Sequence, residues 1–233
     1  QLQNSDIICP GDTSGSISLS LFGGTKPYSL SWSNGSVDSV LFNLLPGQYS
    51  YVVKDSNNCH ISDSVLISSP SDFVFTHIID HAMCKGQNNA QIQVSLSGGT
   101  MPYQYSWNTG NNTSFLPSLS AGVYSLTITD SALCVYDTVL QVNEPDSLDV
   151  ISDVLNEHCD QSDGYVTLNV SGGTFPYFYS WSNGAQVDTI NNLSSGTYSY
   201  TITDLNGCVD IDTFIIINRS KPEVDFSFED VCI

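Results

Sequence analysis

Seven cysteines are the residues best placed to do chemistry in this chain, and their spacing is nearly regular. Cys9 and Cys59, Cys84 and Cys134, and Cys159 and Cys208 form three pairs about 50 residues wide, with Cys232 left over. One bridge within each pair is the economical reading. Closing such a loop contributes roughly 4 kcal/mol on the chain-entropy estimate. The rival pairing joins Cys59 to Cys84 and Cys134 to Cys159. Either way, disulfides imply an oxidising compartment and hence export. A metal site of thiolates is disfavoured, because no Cys-x-x-Cys pair occurs.

The acids suggest a second chemistry. Asp55, Asp130 and Asp204 each stand four residues before the second Cys of their repeat, at the end of the same Tyr-containing segment. Asp72, Asp80, Glu144, Asp146, Asp149 and Asp153 lie near the repeat junctions. Oxygen-rich groups suit Ca²⁺, so the three recurrent carboxylates are candidate calcium ligands. The alternative is that each accepts backbone N–H bonds within its own turn, as Asp commonly does. His77, Asp80 and His81 form a tight cluster, yet on a strand the two histidines sit about 13 Å apart, too far to share one metal. No nucleophile elbow, His-Glu-x-x-His or phosphate-cradling loop is present. We expect no enzyme.

Composition narrows the partners. The 233 residues carry a net charge of -19, with five Lys+Arg against 24 Asp+Glu. Nucleic acid and anionic membrane surfaces need clustered cations, which are scarce here. The longest apolar runs, such as Phe214 to Ile217, are too short to span a bilayer. Hydrophobic residues make up 40% of the chain, enough for a folded core.

The elements that position these residues repeat three times. Gly23-Gly24-Thr25-Lys26-Pro27-Tyr28 returns at Gly98 to Tyr103 and at Gly172 to Tyr177. Trp32, Trp107 and Trp181 keep the same offsets, as do Gly47-Gln48-Tyr49, Gly122-Val123-Tyr124 and Gly196-Thr197-Tyr198. Alternation at Ile17, Leu19 and Leu21, and at Ile92, Val94 and Leu96, predicts strands with one buried face. Further strands are expected through Tyr28, Leu30 and Trp32, through Val40, Phe42 and Leu44, and through Tyr49, Tyr51 and Val53. Asn34-Gly35 and Asn183-Gly184 read as type I′ hairpin turns. Six or seven strands per repeat, an early Trp and a Gly-x-Tyr that would form a tyrosine corner predict an all-β fold. The expected architecture is three tandem immunoglobulin-like (PKD-like) β-sandwich domains, arranged as a rod. Their boundaries fall at 1–70, 71–146 and 147–220, with Pro70, Pro145 and Pro222 near the junctions. Cys232 lies 73 residues after Cys159, so 221–233 reads as the start of a fourth repeat in a piece of a longer array.

The string Gly-Gly-Thr-x-Pro-Tyr-x-x-x-Trp, followed by Gly-x-Tyr and an Asp before the second Cys, resembles the SprB-type repeat. Those repeats build large surface adhesins of gliding Bacteroidota, exported by the type IX secretion system. The resemblance implies a cell-surface location and a role in a filamentous adhesin, with neighbouring repeats of the same chain as partners. The Asp-Ser/Thr-hydrophobic triplet, found seven times, is similar to the Bacteroidota O-glycosylation triplet and marks Ser64, Thr138 and Thr213 as candidates at one register.

Two functions follow. In the first, the repeats form a stalk whose negative charge keeps a crowded surface soluble. In the second, each repeat binds polysaccharide weakly and avidity supplies the strength. The best aromatic platform for a sugar is Phe175 with Phe178. Copies one and two carry Ser29 and Gln104 where copy three has Phe178, which favours the stalk. The isolated chain is expected to be monomeric.

Overall fold

The computed structural model describes residues 1–219 and 221. Cys232, Pro222 and, apart from Lys221, the start of a fourth repeat lie outside them. Among the described residues all regular structure is β.

The first repeat holds β1 (Leu2–Ser5), β2 (Gly15–Leu19), β3 (Ser29–Trp32), β4 (Val40–Leu44), β5 (Gly47–Lys54) and β6 (His60–Ile67). The second holds β7 (Val74–Asp80), β8 (Ala90–Ser97), β9 (Gln104–Trp107), β10 (Phe115–Leu119), β11 (Gly122–Thr129) and β12 (Val135–Val142). The third holds β13 (Asp149–Leu155), β14 (Glu157–His158), β15 (Gly164–Ser171), β16 (Phe178–Trp181), β17 (Thr189–Leu193), β18 (Gly196–Thr203), β19 (Val209–Ile216) and β20 (Asn218–Arg219). Each repeat makes two three-stranded sheets, ordered β1-β2-β4 and β3-β5-β6 in the first. The third adds a short parallel pairing of β14 with β20. By spatial clustering the chain forms two compact units. One comprises Gln1–Ile79, Ile92–Leu116 and Val123–Gln141; the other comprises Asp80–Gln91, Pro117–Gly122 and Val142–Ile233.

Period-two alternation gives each sheet one apolar face. In the first repeat Ile17, Leu19, Leu41 and Leu44 from one sheet meet Trp32, Tyr51, Val53 and Ile67 from the other. The third repeats the arrangement with Val166, Leu168, Ile190 and Leu193 against Trp181, Tyr200, Ile202 and Ile216. Each Trp sits on the core side and donates its ring N–H to a backbone carbonyl six residues on: Asp38, Thr113 or Val187. The expected tyrosine corner forms in repeats one and three, where Tyr49 and Tyr198 donate to the carbonyls of Leu45 and Ser194 at 3.1 Å.

Two local expectations are corrected. On β4, Leu41 and Leu44 are buried while Val40 and Phe42 are exposed. Asn43 takes a left-handed conformation, φ 56°, as do Ser118 and Asn192 at the same place. The extra residue bulges the strand and breaks the alternation. The Asn-Gly dipeptides do not form type I′ turns either, since only the glycine has positive φ, 84° at Gly35 and 86° at Gly184. The chain at this point crosses from β3 to β4, which lie in different sheets, so the strand twist that favours type I′ in a hairpin is not at work.

Candidate functional site

The most elaborate local structure in each repeat is a corner where the Gly-Gly-Thr turn, the recurrent Asp and the second cysteine of the repeat converge. The turn precedes the short strand carrying Trp, and its Thr donates across to the Asp at the end of the long central strand. Asp204 Oδ1 accepts the backbone N–H groups of Asn206 at 2.9 Å and Cys208 at 2.8 Å, and its Oδ2 accepts that of Thr174 at 2.8 Å. Asp130 does the same with Ala132, Cys134 and Thr100 at 2.9, 2.9 and 2.8 Å. Asp55 does so with Asn57, Cys59 and Thr25 at 2.9, 2.9 and 3.1 Å. Three donors on one carboxylate favour its charged form. The bond from Thr25 leads those holding the Asp55 carboxyl below the usual carboxylate range. Asp130 and Asp204 are each only 2% exposed.

The tyrosine of the turn closes the corner from the other side. Tyr103 and Tyr177 donate to the carbonyls of Gly98 and Gly172 at 2.6 and 2.7 Å, and Tyr28 donates to that of Gly23. The peptide bonds Lys26–Pro27, Met101–Pro102 and Phe175–Pro176 are all cis. A linker crosses the glycines in the second and third corners: Gly99 N–H donates to the carbonyl of Ser71 at 2.8 Å, and Gly173 N–H to that of Asp146 at 3.0 Å. A Cβ on Gly98 would lie 2.0 Å from the Asp72 oxygen, and one on Gly172 would lie 1.8 Å from that of Ser147. Only glycine fits under the linker.

The cysteines depart from both expected pairings. Cys9 is bonded to Cys134 and Cys84 to Cys208, with Cα–Cα distances of 5.5 and 5.6 Å, while Cys59 and Cys159 are free thiols. The first cysteine of one repeat thus bonds the second cysteine of the next. The proposed pairs Cys9–Cys59, Cys84–Cys134 and Cys159–Cys208 are absent, as are Cys59–Cys84 and Cys134–Cys159. Spacing could not reveal this, because a 50-residue interval describes the repeat's length and not which cysteines come within the narrow Cα separation that a bridge requires. In each bridge the residue before the first cysteine follows it in: the Ile8 carbonyl oxygen lies 3.5 Å from the Cys134 sulfur, and that of Met83 lies 3.4 Å from the Cys208 sulfur. Asn206 Nδ2 donates to the Met83 carbonyl at 3.1 Å and to Thr174 Oγ1 at 3.0 Å. The loop bearing Cys84 is braced by Glu144, which takes the Gly86 N–H at 2.7 Å and pairs with Lys85 at 2.6 Å.

The other sequence-predicted residues are placed as follows. Around Asp55, Asp130 and Asp204 the structure sets backbone N–H donors, and no cluster of three His, Cys, Asp or Glu able to hold a metal occurs among the described residues. His77 stacks on Phe75, Asp80 accepts from Gln91, and His81 Nδ1 accepts the Asn143 N–H at 3.1 Å. Ser64 and Thr213 are exposed on β6 and β19, whereas Thr138 is half-buried on β12. Counted from the second cysteine, Thr138 stands one residue earlier than the other two, so it falls on the side of the strand that buries Leu140 and Val142. The three do not share a register. Phe175 and Phe178 are 78% and 56% exposed, and Phe175 packs edge-on against Tyr177, ring centroids 5.9 Å apart.

Sheets of this order, a buried Trp in every copy and a tyrosine corner in the first and third define a tandem immunoglobulin-like β-sandwich protein. Within that class the SprB repeat family model matches residues 3–37, 79–112 and 151–186, and these three stretches are similar to SprB repeats. The matched stretches run from the first strands through the Gly-Gly-Thr turn to the Trp strand, and do not cover the Cys59, Cys134 and Cys208 corners. No functionally characterised protein matches the chain. The solved structures it resembles include the N-terminal eight Ig domains of Down Syndrome Cell Adhesion Molecule, with 14% identity over 82% of this chain and 33% of that one, TM-score 0.44. The two Ig domains of DIP-gamma align at 12% identity over 65% of this chain and 99% of that one, TM-score 0.36. The insect immune protein hemolin aligns at 12% identity over 95% and 76%, TM-score 0.29. The chain spans about a third of the length of the Down Syndrome Cell Adhesion Molecule structure. These are likenesses of fold. The two disulfides fit an extracellular or cell-surface protein. No helix among the described residues is long and apolar enough to cross a membrane.

Proposed function

We propose that this chain is a stalk segment of a long cell-surface adhesin, holding a distal adhesive region away from the cell in support of attachment and gliding. The observation that carries this reading is the pair of interleaved bridges, Cys9–Cys134 and Cys84–Cys208. Each joins one repeat to the next, so pulling force along the chain meets covalent bonds at the junctions and not only packed sheets. The match to SprB repeats supports a Bacteroidota host and type IX export. The charge of -19 supports self-repulsion in a dense surface layer.

The polysaccharide-binding array is the weaker reading. Its best platform, Phe175 with Phe178, is confined to one repeat, and Phe175 leans on Tyr177. Calcium forms no part of the stalk reading, because each recurrent carboxylate already accepts three N–H bonds. Glycans belong to it at the exposed Ser64 and Thr213. A glycan-array and whole-cell binding screen of the chain, with calcium and again with EDTA, tests the proposal. No saturable binding in either buffer is the expected result. Saturable binding lost in a Phe175→Ala, Phe178→Ala variant would overturn the stalk in favour of the array, and a melting temperature lowered by EDTA would restore calcium.

A further inference from the structure

The first-repeat corner is built like the other two but stands open. Asp55 binds Thr25, Asn57 and Cys59 as Asp204 binds Thr174, Asn206 and Cys208. Asn57 Nδ2 donates to Thr25 Oγ1 at 3.0 Å, matching Asn206 and Thr174. The penultimate residue of the loop is left-handed in each corner: Asn58 at φ 64°, Leu133 at 68° and Gly207 at 83°. What differs is the cover. Where a Cβ on Gly98 or Gly172 would strike a linker carbonyl, one on Gly23 would meet nothing within 4 Å. Where Gly99 is covered by the Phe73 ring and Gly173 by Leu148, Gly24 meets only Asp55. Instead a cleft of about 220 Å³ opens here, lined by Phe22, Gly23, Gly24, Tyr28, Asp55 and Cys59 among others.

From this geometry we infer that the Cys59 cleft is a docking site for another SprB-type repeat, which bonds Cys59 through its own first cysteine. The equivalents of Cys59 do this in the same chain, since Cys134 holds Cys9 and Cys208 holds Cys84. The incoming repeat places three groups. Its first cysteine bonds Cys59, and the carbonyl preceding that cysteine takes the second N–H of Asn57 Nδ2, as Met83 takes that of Asn206. Its linker lays a carbonyl on Gly24 N–H, an apolar side chain over Gly24 and a second carbonyl over Gly23, as Ser71, Phe73 and Asp72 do in the second corner and Asp146, Leu148 and Ser147 in the third. Cys159 is the complementary half. It holds the position of Cys9 and Cys84, is partly exposed and unbonded, and calls for the second cysteine of a further repeat. The contact is head-to-tail, so it propagates instead of closing. The inference deepens the stalk reading and rests on it.

Bond formation consumes two thiols and needs an oxidant, here a low-molecular-weight disulfide such as oxidised glutathione. One thiolate attacks that disulfide and releases a glutathione thiolate. The second protein thiolate attacks the mixed disulfide and releases the other. The two cysteine protons leave with the two glutathiones, and the protein gains one S–S bond.

The full chain can serve as its own partner, Cys159 of one copy meeting Cys59 of another. In a Cys232→Ser background, oxidation in a glutathione redox buffer is followed by non-reducing electrophoresis and peptide mapping. The expected product is a ladder whose inter-chain peptides join Cys59 to Cys159. Mixing the Cys59→Ser and Cys159→Ser variants should stop the ladder at a heterodimer, at least about tenfold over either homodimer. Asn57→Ala, an exposed change that leaves Cys59 in place, should slow the linkage without altering the melting temperature by more than a degree or so. A statistical mixture of Cys59–Cys59, Cys159–Cys159 and Cys59–Cys159 links would overturn the docking site, as would glutathione adducts on monomer alone. Either failure, with a negative glycan screen, leaves the stalk standing; saturable glycan binding overturns the stalk whatever the linkage result.

Discussion

The Cys208 corner and the Cys59 corner share one backbone design and differ in what covers it. At Cys208 a linker lies on Gly172 and Gly173, Asp204 is buried, and the sulfur is bonded to Cys84. At Cys59 the glycines and the thiol face the cleft, and the Asp55 carboxylate, with the same three donors, is part of its wall. The corner therefore folds without its bridge. The Asp and its backbone partners shape the loop, and the disulfide fastens an incoming repeat to a seat already made.

Removing a bridge is the largest disturbance to this pair. Cys84→Ser with Cys208→Ser should lower stability by about 4–5 kcal/mol, the chain-entropy value for a loop of this size. Cys59→Ser should leave the melting temperature unchanged, which calorimetry can check. If the paired change proved as mild as the single one, the linker alone would hold the junction. A pulling experiment gives the same contrast as length. Reduction should release roughly the 125 residues enclosed by the Cys9–Cys134 bridge, about 400 Å at full extension.

The keystone Asp comes next. Asp204→Ala strands three N–H groups in a covered corner and should cost about 3 kcal/mol by chemical denaturation. Asp55→Ala does so where water can replace the carboxylate, so its shift should be clearly smaller. Equal losses would mean that cover adds nothing to these hydrogen bonds.

Acid should expose a smaller effect of the same kind. Asp55 is held low by N–H bonds led by Thr25, Glu144 by Lys85 and then Gly86 N–H, and Glu157 by the N–H groups of Ser162 and Ser195. Each is more acidic folded than unfolded, so the stability it adds is present above the ordinary carboxylate range and is lost as pH falls through the folded value. The melting temperature should be level near neutrality and drop below about pH 4. Glu144→Gln should flatten that drop, and should do so only while the Cys84 loop that it braces is intact. At the alkaline end Tyr200, pushed up to about 12 chiefly by burial and then by Asp210, acts with the opposite sign. Its contribution is present below about pH 10 and lost as pH rises from there toward 12.

Much of the fold was legible in the sequence because it is written in short-range terms. Alternation marked Ile17 and Leu19 as inward, and Gly-x-Tyr announced the tyrosine corner at Tyr49 and Tyr198. The recurrence of Asp55, Asp130 and Asp204 marked one structural corner in each repeat, and their observed partners are the N–H donors that turn chemistry offers an Asp. The bulge at Asn43 left no such mark, since nothing in its side chain demands a left-handed backbone. The bridge pairing was illegible for a deeper reason. In a repeat array every copy presents the same two cysteines at the same interval, so pairing within a copy and pairing with the next are indistinguishable by spacing. The decision rests on how the first-cysteine loop reaches the following corner, which is a property of packing.

The smallest predicted effect lies on Leu133, in the loop just before the second cysteine of repeat two. Leu133 is 80% exposed at φ 68°, where Asn58 and Gly207 stand in the other corners. A side chain with a Cβ is strained in this region, and Leu gains no local hydrogen bond in return as Asn can. Leu133→Gly should relieve that strain at some entropic cost, a net gain of about 0.5–1 kcal/mol. Asn58→Gly at the open corner should gain less. Denaturant midpoints at unchanged m-value give both differences. If Leu133→Gly instead weakens the chain, the Leu133 side chain supports the loop beside the Cys9–Cys134 bridge, and the second corner owes its shape to its partner repeat more than the first does.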